Sequence, residues 1–341
     1  MRPLGVFALL GATVAALSLT AIPKTPKTFA FPKAGLRRRR AALASVAVDT
    51  YVEAYAVATE YTIDTAYTIE IASSQPFLYD TASTLETRYA AYRTLCERAV
   101  SDATVFATFK ADADYRDILE HVTELQGAMY LHYVETDYPD LLQSAPLLAA
   151  MRFAAGVGSP ATFRYDAFDF PVSPTQLRYL KGYGDLRKLV GGSLSGLAVA
   201  EVGAGYGGQA QLALAESGLR SWRIYDLDCA EALAHKYIST TLPGAPFFRN
   251  GTAPAFEPPD LFISNYALAE LPRSTQAPYV ELACASAFGY ALWNHGVHKD
   301  AINADEFVQI LRDSRPDTFI EITDECPKTA PGNVLITWTP R

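Results

Sequence analysis

The sequence predicts an α/β protein built on a Rossmann-like sheet of seven strands, mostly parallel with the last strand antiparallel, preceded by an N-terminal helical region. Three observations predict it. From residue 176 onward, apolar runs of strand length alternate with helical segments. A glycine-rich turn, Gly203 to Gly208, follows the first of those runs. The last two runs are joined by a short link instead of a helix. Such alternation is the pattern of an open parallel sheet with helices on both faces.

The chain has 341 residues, half of them hydrophobic and 19% charged, with a net charge of −8. That length allows two domains. The acidic balance offers no basic face, so no nucleic-acid partner is expected. Leu4–Ile22 holds 19 residues without a charge, followed by Lys24, Lys27, Lys33 and Arg37–Arg40. A spanning helix needs about 20 apolar residues, and a signal-peptide core has roughly 7–15. Residues 1–40 are therefore expected to be a membrane anchor or a cleaved signal or organelle-targeting leader. In the first case the positive flank would keep the C-terminal bulk cytosolic, with membrane association through residues 4–22.

Residues 41–172 read as a helical region and connector. Tyr51, Tyr55, Tyr61 and Tyr67 are expected to pack. The stretches 81–100 and 115–134 carry apolar residues at three-to-four spacing and predict one amphipathic helix each. His121 and His132 fall on these helices as lone histidines. From 135 to 175, prolines and glycines predict an irregular connector. Cys96, Cys229, Cys284 and Cys326 lie far apart, with no C-x-x-C. Four separate thiols are expected, and neither a disulfide framework nor a metal site.

Residues 173–341 form the predicted ligand-binding domain. "TQLRYLKGYGDLRKLV" is a helix, "GLAVAEV" the first strand and "GGQAQLALAES" the next helix. "SWRIYDL" is the second strand, after which Asp228 is expected to cap the helix "CAEALAHKYIST". "APFFRN" and "DLFISNYAL" follow as strands, then the helix "QAPYVELACASA", the strand "GYALWNHG" and the helix "ADEFVQILRDS". "DTFIEIT" and "NVLITWT" close the chain. Strands joined by a short link pair antiparallel, so the last is expected to run against the others.

In such a sheet the ligand crevice lies at the carboxyl ends of the strands. The turn after the first strand is its floor. Its spacing satisfies both a dinucleotide fingerprint, Gly203-x-Gly205-x-x-Gly208, and a methyltransferase one, Gly203-x-Gly205-x-Gly207. Charge separates them. A pyrophosphate would be repelled by Glu201, whereas S-adenosylmethionine brings an ammonium and a sulfonium to it. Its carboxylate would meet the N-terminus of the following helix. A unit-charge pair at ~4 Å is worth about 4 kcal/mol at an effective dielectric of 20. Asp226, at the end of the second strand, suits ribose hydroxyls of either ligand. Asn250 with Gly251 could meet an adenine edge. Ser264, Asn265 and Tyr266 end the fourth strand beside the sulfonium. Glu270 shares their side if the segment turns helical. Asn294 and His295 stand at the rim of the fifth strand, with His298 beyond.

The pieces "SPTQLRYLKGYGDLRKL", "AEVGAGYGGQ", "YDLD", "DLFISNYALAEL" and "FGYALWN" together resemble the sugar O-methyltransferases, a branch of the class I S-adenosylmethionine-dependent enzymes. The resemblance covers about 173–294. It implies a class I methyltransferase fold, S-adenosylmethionine as donor and a carbohydrate or other small hydroxyl acceptor. It implies a donor site lined by Glu201, Gly203, Gly205, Tyr206, Gly207, Gly208 and Gln209, with Asp226 on the ribose and Asn265, Tyr266 and Glu270 in the fourth-strand motif. "SPTQLRY" would act as a lid. Asp228 departs from the family's proline, and His295 has no counterpart in it. Glu270 and His295 are both candidates for the base that takes the acceptor's proton, with a water or metal-bound route as the alternative. Two rival readings stay open: a nicotinamide-dependent oxidoreductase, and a non-catalytic, membrane-tethered module of the same fold.

Overall fold

The computed structural model describes residues 82–250, 258–294, 298 and 300–341. The expectations for residues 1–40, for the tyrosines at 51–67 and for His295 and Gly251 lie outside them. Seven strands form one sheet: β1 (Ala198–Val202), β2 (Ser221–Tyr225), β3 (Phe247–Arg249), β4 (Leu261–Asn265), β5 (Phe288–Trp293), β6 (Thr318–Asp324) and β7 (Val334–Pro340). Their order is β3-β2-β1-β4-β5-β7-β6. The pairs among β1 to β5 are parallel, and β7 runs antiparallel to both β5 and β6. This is the class I methyltransferase sheet.

The reversed β7 has a local cause. The link 325–333 is folded on itself, with Glu325 accepting hydrogen bonds from the Thr329 N–H at 2.9 Å and Asn333 Nδ2 at 3.0 Å. A parallel return would need a crossover of a dozen residues or more. β7 inserts because β5 makes room for it. Gly289 faces Trp338, and a Cβ there would lie 1.9 Å from the indole.

The helices are α1 (Ala82–Ser101), α2 (Glu124–Asp137), α3 (Ala145–Ala154), α4 (Pro174–Leu189), α5 (Gly208–Glu216), α6 (Asp228–Thr241), α7 (Arg273–Ala285) and α8 (Ala304–Ser314), with shorter turns between them. The single helix expected over 115–134 is instead two. A short one ends at Arg116, and α2 starts afresh at Thr123. Thr123 and Gln126 form a capping box, which satisfies free N–H groups that a continuous helix would not have. The expected irregular connector contains α3, started by Ser144. Asp228 is not a cap but the first residue of α6. Glu231 reaches back instead, accepting from the Asp226 N–H at 3.1 Å.

Strand alternation sends side chains to two cores. Val199, Trp222, Ile224, Leu261, Ile263 and Tyr290 face a cluster shared with Tyr92, Leu95, Tyr115 and Leu147 of the N-terminal helical region and with Leu177 of α4. Ala200, Val202, Phe262, Ala291, Trp293, Ile336 and Trp338 face α7 and α8. On the first face α4, α5 and α6 contribute to the core, with α1 packed against α6 and α3 against α5 and α6. Among the described residues no helix is long and apolar enough to cross a membrane. All four cysteines are free thiols.

Candidate active site

The glycine turn sits at the carboxyl end of β1, as its position after an apolar run requires. Gly203 (φ +79°) and Gly207 (φ +84°) take left-handed backbone, which side chains adopt only with strain. Gly203 also lets the segment after β4 approach, because a Cβ there would lie 2.0 Å from that of Ala267. Gly207 is the N-cap of α5 and offers no side-chain cap. The first-turn N–H groups of α5 therefore keep their donor capacity at the site. Gly205 is covered by Leu119, whose nearest methyl would stand 3.0 Å from an added Cβ.

Asp226 ties this turn to β2. One carboxylate oxygen accepts from the Gly205 N–H at 3.1 Å and the other from the Leu227 N–H at 2.7 Å. Burial pushes its pKa up to about 6 despite those two donors. Glu201 is more withdrawn. It is 1% exposed, and the Trp222 indole N–H donates to it at 2.9 Å. Burial pushes its pKa up to about 8, with the Asp226 charge adding to the effect. The sequence reading treats Glu201 as a ready anion. In the structure it is a buried group beside the Trp222 indole, and burial favours its protonated form.

Two other residues of the turn are buried as well. Tyr206 is fully buried, its ring among those of Phe109, Tyr115, Tyr179 and Tyr237. Its ring thus lies in the helical layer while its backbone forms part of the turn. Gln209 is 3% exposed, and its amide donates to the Tyr179 carbonyl at 3.2 Å, tying α5 to α4. Gly208 lies where a Cβ would meet the Tyr179 ring at 2.4 Å. The "SPTQLRY" stretch is thus packed under the turn. Ser173 caps α4, and Ser173, Thr175 and Gln176 are buried. Asn250 follows β3 and is exposed.

At the end of β4, Ser264 is consumed by structure. Its hydroxyl donates to the Val202 carbonyl at 3.2 Å and accepts from the Leu268 N–H at 3.0 Å. Asn265 is half-buried at the strand end. Tyr266 has φ +69°, a strained backbone for a bulky residue and of the kind that clusters at functional sites. A short helix, Ala267–Glu270, starts there. It sends Tyr266 and Glu270 apart. The Tyr266 hydroxyl bonds to the Glu325 carboxylate, while Glu270 accepts from Asn294 Nδ2 at 2.7 Å.

The Glu270–Asn294 pair joins the ends of β4 and β5. Burial raises the Glu270 pKa, while the Asn294 amide and the charge of His298 act against it. Asn294 Oδ1 is buried, with no hydrogen-bond partner among the described residues. Buried polar atoms are rarely left so, and this one is an acceptor available to a ligand donor. Tyr89 of α1 completes the mouth. Its pKa is pushed up to about 12, by burial first and then by the charges of Glu270 and Asp226. Both acids thus act on its phenol through their charge. Tyr89 and Leu119 are absent from the sequence-derived set. Both lie on ordinary amphipathic or irregular segments, where nothing in the local pattern marks them.

No family model matches the chain, and no curated protein matches it. Solved structures that match include magnesium protoporphyrin IX methyltransferase from Synechocystis PCC 6803 with bound S-adenosylhomocysteine, at 13% identity and TM-score 0.39, over 63% of this chain and 99% of that one. Geranyl diphosphate C-methyltransferase from Streptomyces coelicolor A3(2) matches at 11% identity and TM-score 0.37, over 49% and 80%. TrmK of M. capricolum matches at 9% identity and TM-score 0.32, over 46% and 67%. The fold assignment rests on the strand order and pairing of this sheet.

Proposed function

We propose that this protein is an S-adenosylmethionine-dependent O-methyltransferase acting on a carbohydrate or another small hydroxyl compound. The observation that carries the reading is the convergence of Asp226, the left-handed glycine turn and the uncapped start of α5 at one end of the sheet. The residues fit the donor. Asp226 can exchange its Gly205 and Leu227 bonds for ribose hydroxyls. The α5 N-terminus suits a carboxylate, and Glu201 ionises once a cation is near. When bound, the donor supplies an activated methyl group.

The chain's own task is alignment and proton removal. Alignment in a near-attack geometry is potentially the larger effect. Glu270 is a base whose raised pKa brings it nearer neutrality, and Asn294 holds its carboxylate while keeping Oδ1 for the acceptor hydroxyl. His295 is the rival base. The dinucleotide reading is disfavoured by the sheet. Its usual order is 3-2-1-4-5-6, whereas here an antiparallel β7 stands between β5 and β6.

Calorimetry with S-adenosylhomocysteine and with NAD tests the donor. Binding of the first alone is expected, and binding of NAD alone refutes the reading. A labelled-methyl assay over carbohydrate acceptors tests the reaction. A tight binder that never transfers methyl would favour the non-catalytic module. Glu270→Ala and His295→Ala are expected to differ, with at least one lowering turnover tenfold or more at saturating donor.

A further inference from the structure

A lysine is buried on the flank of the glycine turn. Lys110, in the single turn Phe109–Ala111, is 1% exposed. Its ammonium lies over the Tyr206 ring at 3.7 Å from the centroid and over Tyr237 at 4.4 Å, with Phe109 at 5.7 Å. Among the described residues no ion pair engages it. Its backbone is fixed, because the Lys110 N–H donates to the Gly158 carbonyl at 2.9 Å. A Cβ on Gly158 would come within 2.8 Å of the lysine stem.

The partner ring is the key one. Tyr206 is the sole residue of Gly205–Gly208 with a side chain. Glycine backbones are cheap to bend and therefore poorly self-fixed. Tyr206 must hold the turn, yet its hydroxyl is buried with no hydrogen-bond partner among the described residues. What fixes the ring is packing and the ammonium. A desolvated cation over a tyrosine face is among the stronger forms of this contact.

We propose that Lys110 is a positioning residue for the donor site: its ammonium clamps Tyr206 against Tyr237 and so holds the backbone N–H groups of the turn in their binding arrangement. This rests on the reading of the turn as an S-adenosylmethionine site.

Charge on Lys110 is what the clamp needs, and burial pushes its pKa down to about 8, with Glu120 opposing. The other ionisable groups around the cluster are Tyr115, Tyr179, Tyr206 and Tyr237, whose pKa values burial raises, and Arg178, whose charge acts on Tyr206. Lys110 is thus the group of this cluster that changes charge near pH 8. The clamp is present below that pH and is lost above it.

The test is calorimetric affinity for S-adenosylhomocysteine on the full chain, for wild type, Lys110→Met and Lys110→Arg. Lys110→Met is expected to bind about tenfold more weakly at pH 7. Lys110→Arg, which keeps the charge, is expected to restore affinity to within about threefold. The ligand's own amine titrates in the same range, so the difference between proteins is the readout. The gap between wild type and Lys110→Met should close by pH 9.5, while Lys110→Arg should keep its affinity there. Equal binding at pH 7, or a gap unchanged at pH 9.5, overturns the proposal. If Lys110→Met does not fold, Tyr237→Leu, which removes one ring and leaves the lysine, carries the same test. Equal affinity of that variant overturns the proposal, and several-fold loss that closes with pH supports it. Failure of the wild type to bind S-adenosylhomocysteine removes the donor-site reading and this inference together. Binding by wild type with no effect of Lys110 removes the inference alone.

Discussion

Glu201→Gln is the sharpest probe of how the site is built. The folded protein pushes the Glu201 pKa from 4.5 to about 8, so between those values the native state binds a proton that the unfolded chain has released. Stability contributed at this position is therefore full below about pH 4.5 and falls as pH rises toward 8. Glutamine keeps an oxygen for the Trp222 indole and carries no charge. At ~1.36 kcal/mol per pH unit, roughly 3 kcal/mol separates the two proteins at pH 7, with almost none at pH 4. For a domain of this size that is on the order of 5–10 °C in Tm. Differential scanning calorimetry from pH 4 to pH 8 reads it directly. Glu201→Gln should melt higher, by a margin that widens with pH. A margin independent of pH, or a less stable variant at pH 7, would refute the assignment of Glu201 as a buried, proton-holding acid. The same variant should bind S-adenosylhomocysteine more weakly, so stability and affinity are expected to move in opposite directions.

Gly203→Ala should cost about 3 kcal/mol or more in denaturant unfolding, since the new Cβ meets Ala267 at 2.0 Å on left-handed backbone. A loss under ~1 kcal/mol would show that the turn relaxes. Asp226→Ala removes the acceptor of the Gly205 and Leu227 N–H groups. Affinity for S-adenosylhomocysteine should fall by about 100-fold, corresponding to ~2.7 kcal/mol, and unchanged affinity would separate Asp226 from the ligand. Ser173→Ala breaks the buried capping box that starts α4. The expected loss is about 1–2 kcal/mol in urea unfolding, and a neutral result would show that Pro174 at the first helical position suffices.

Much of the framework is legible in the chain itself. All seven strands follow from apolar runs, and the signal is clearest in β1 and β4, which are buried on both faces. The antiparallel last strand follows from a link too short for a crossover. Asp226 follows from its place at the end of β2. Side-chain direction does not follow. Tyr206 and Gln209 sit in a ligand motif yet point into the helical layer, because Phe109, Tyr115 and Tyr179 arrive there from segments well separated from the turn. Tyr266 and Glu270, four residues apart, diverge because one finds Glu325 and the other Asn294. The protonation of Glu201 and the burial of Lys110 are likewise decided by what surrounds them. Local sequence sets where a backbone bends and which stretch is apolar; desolvation and long-range partners, which set charge and orientation, exist only once the chain has closed on itself.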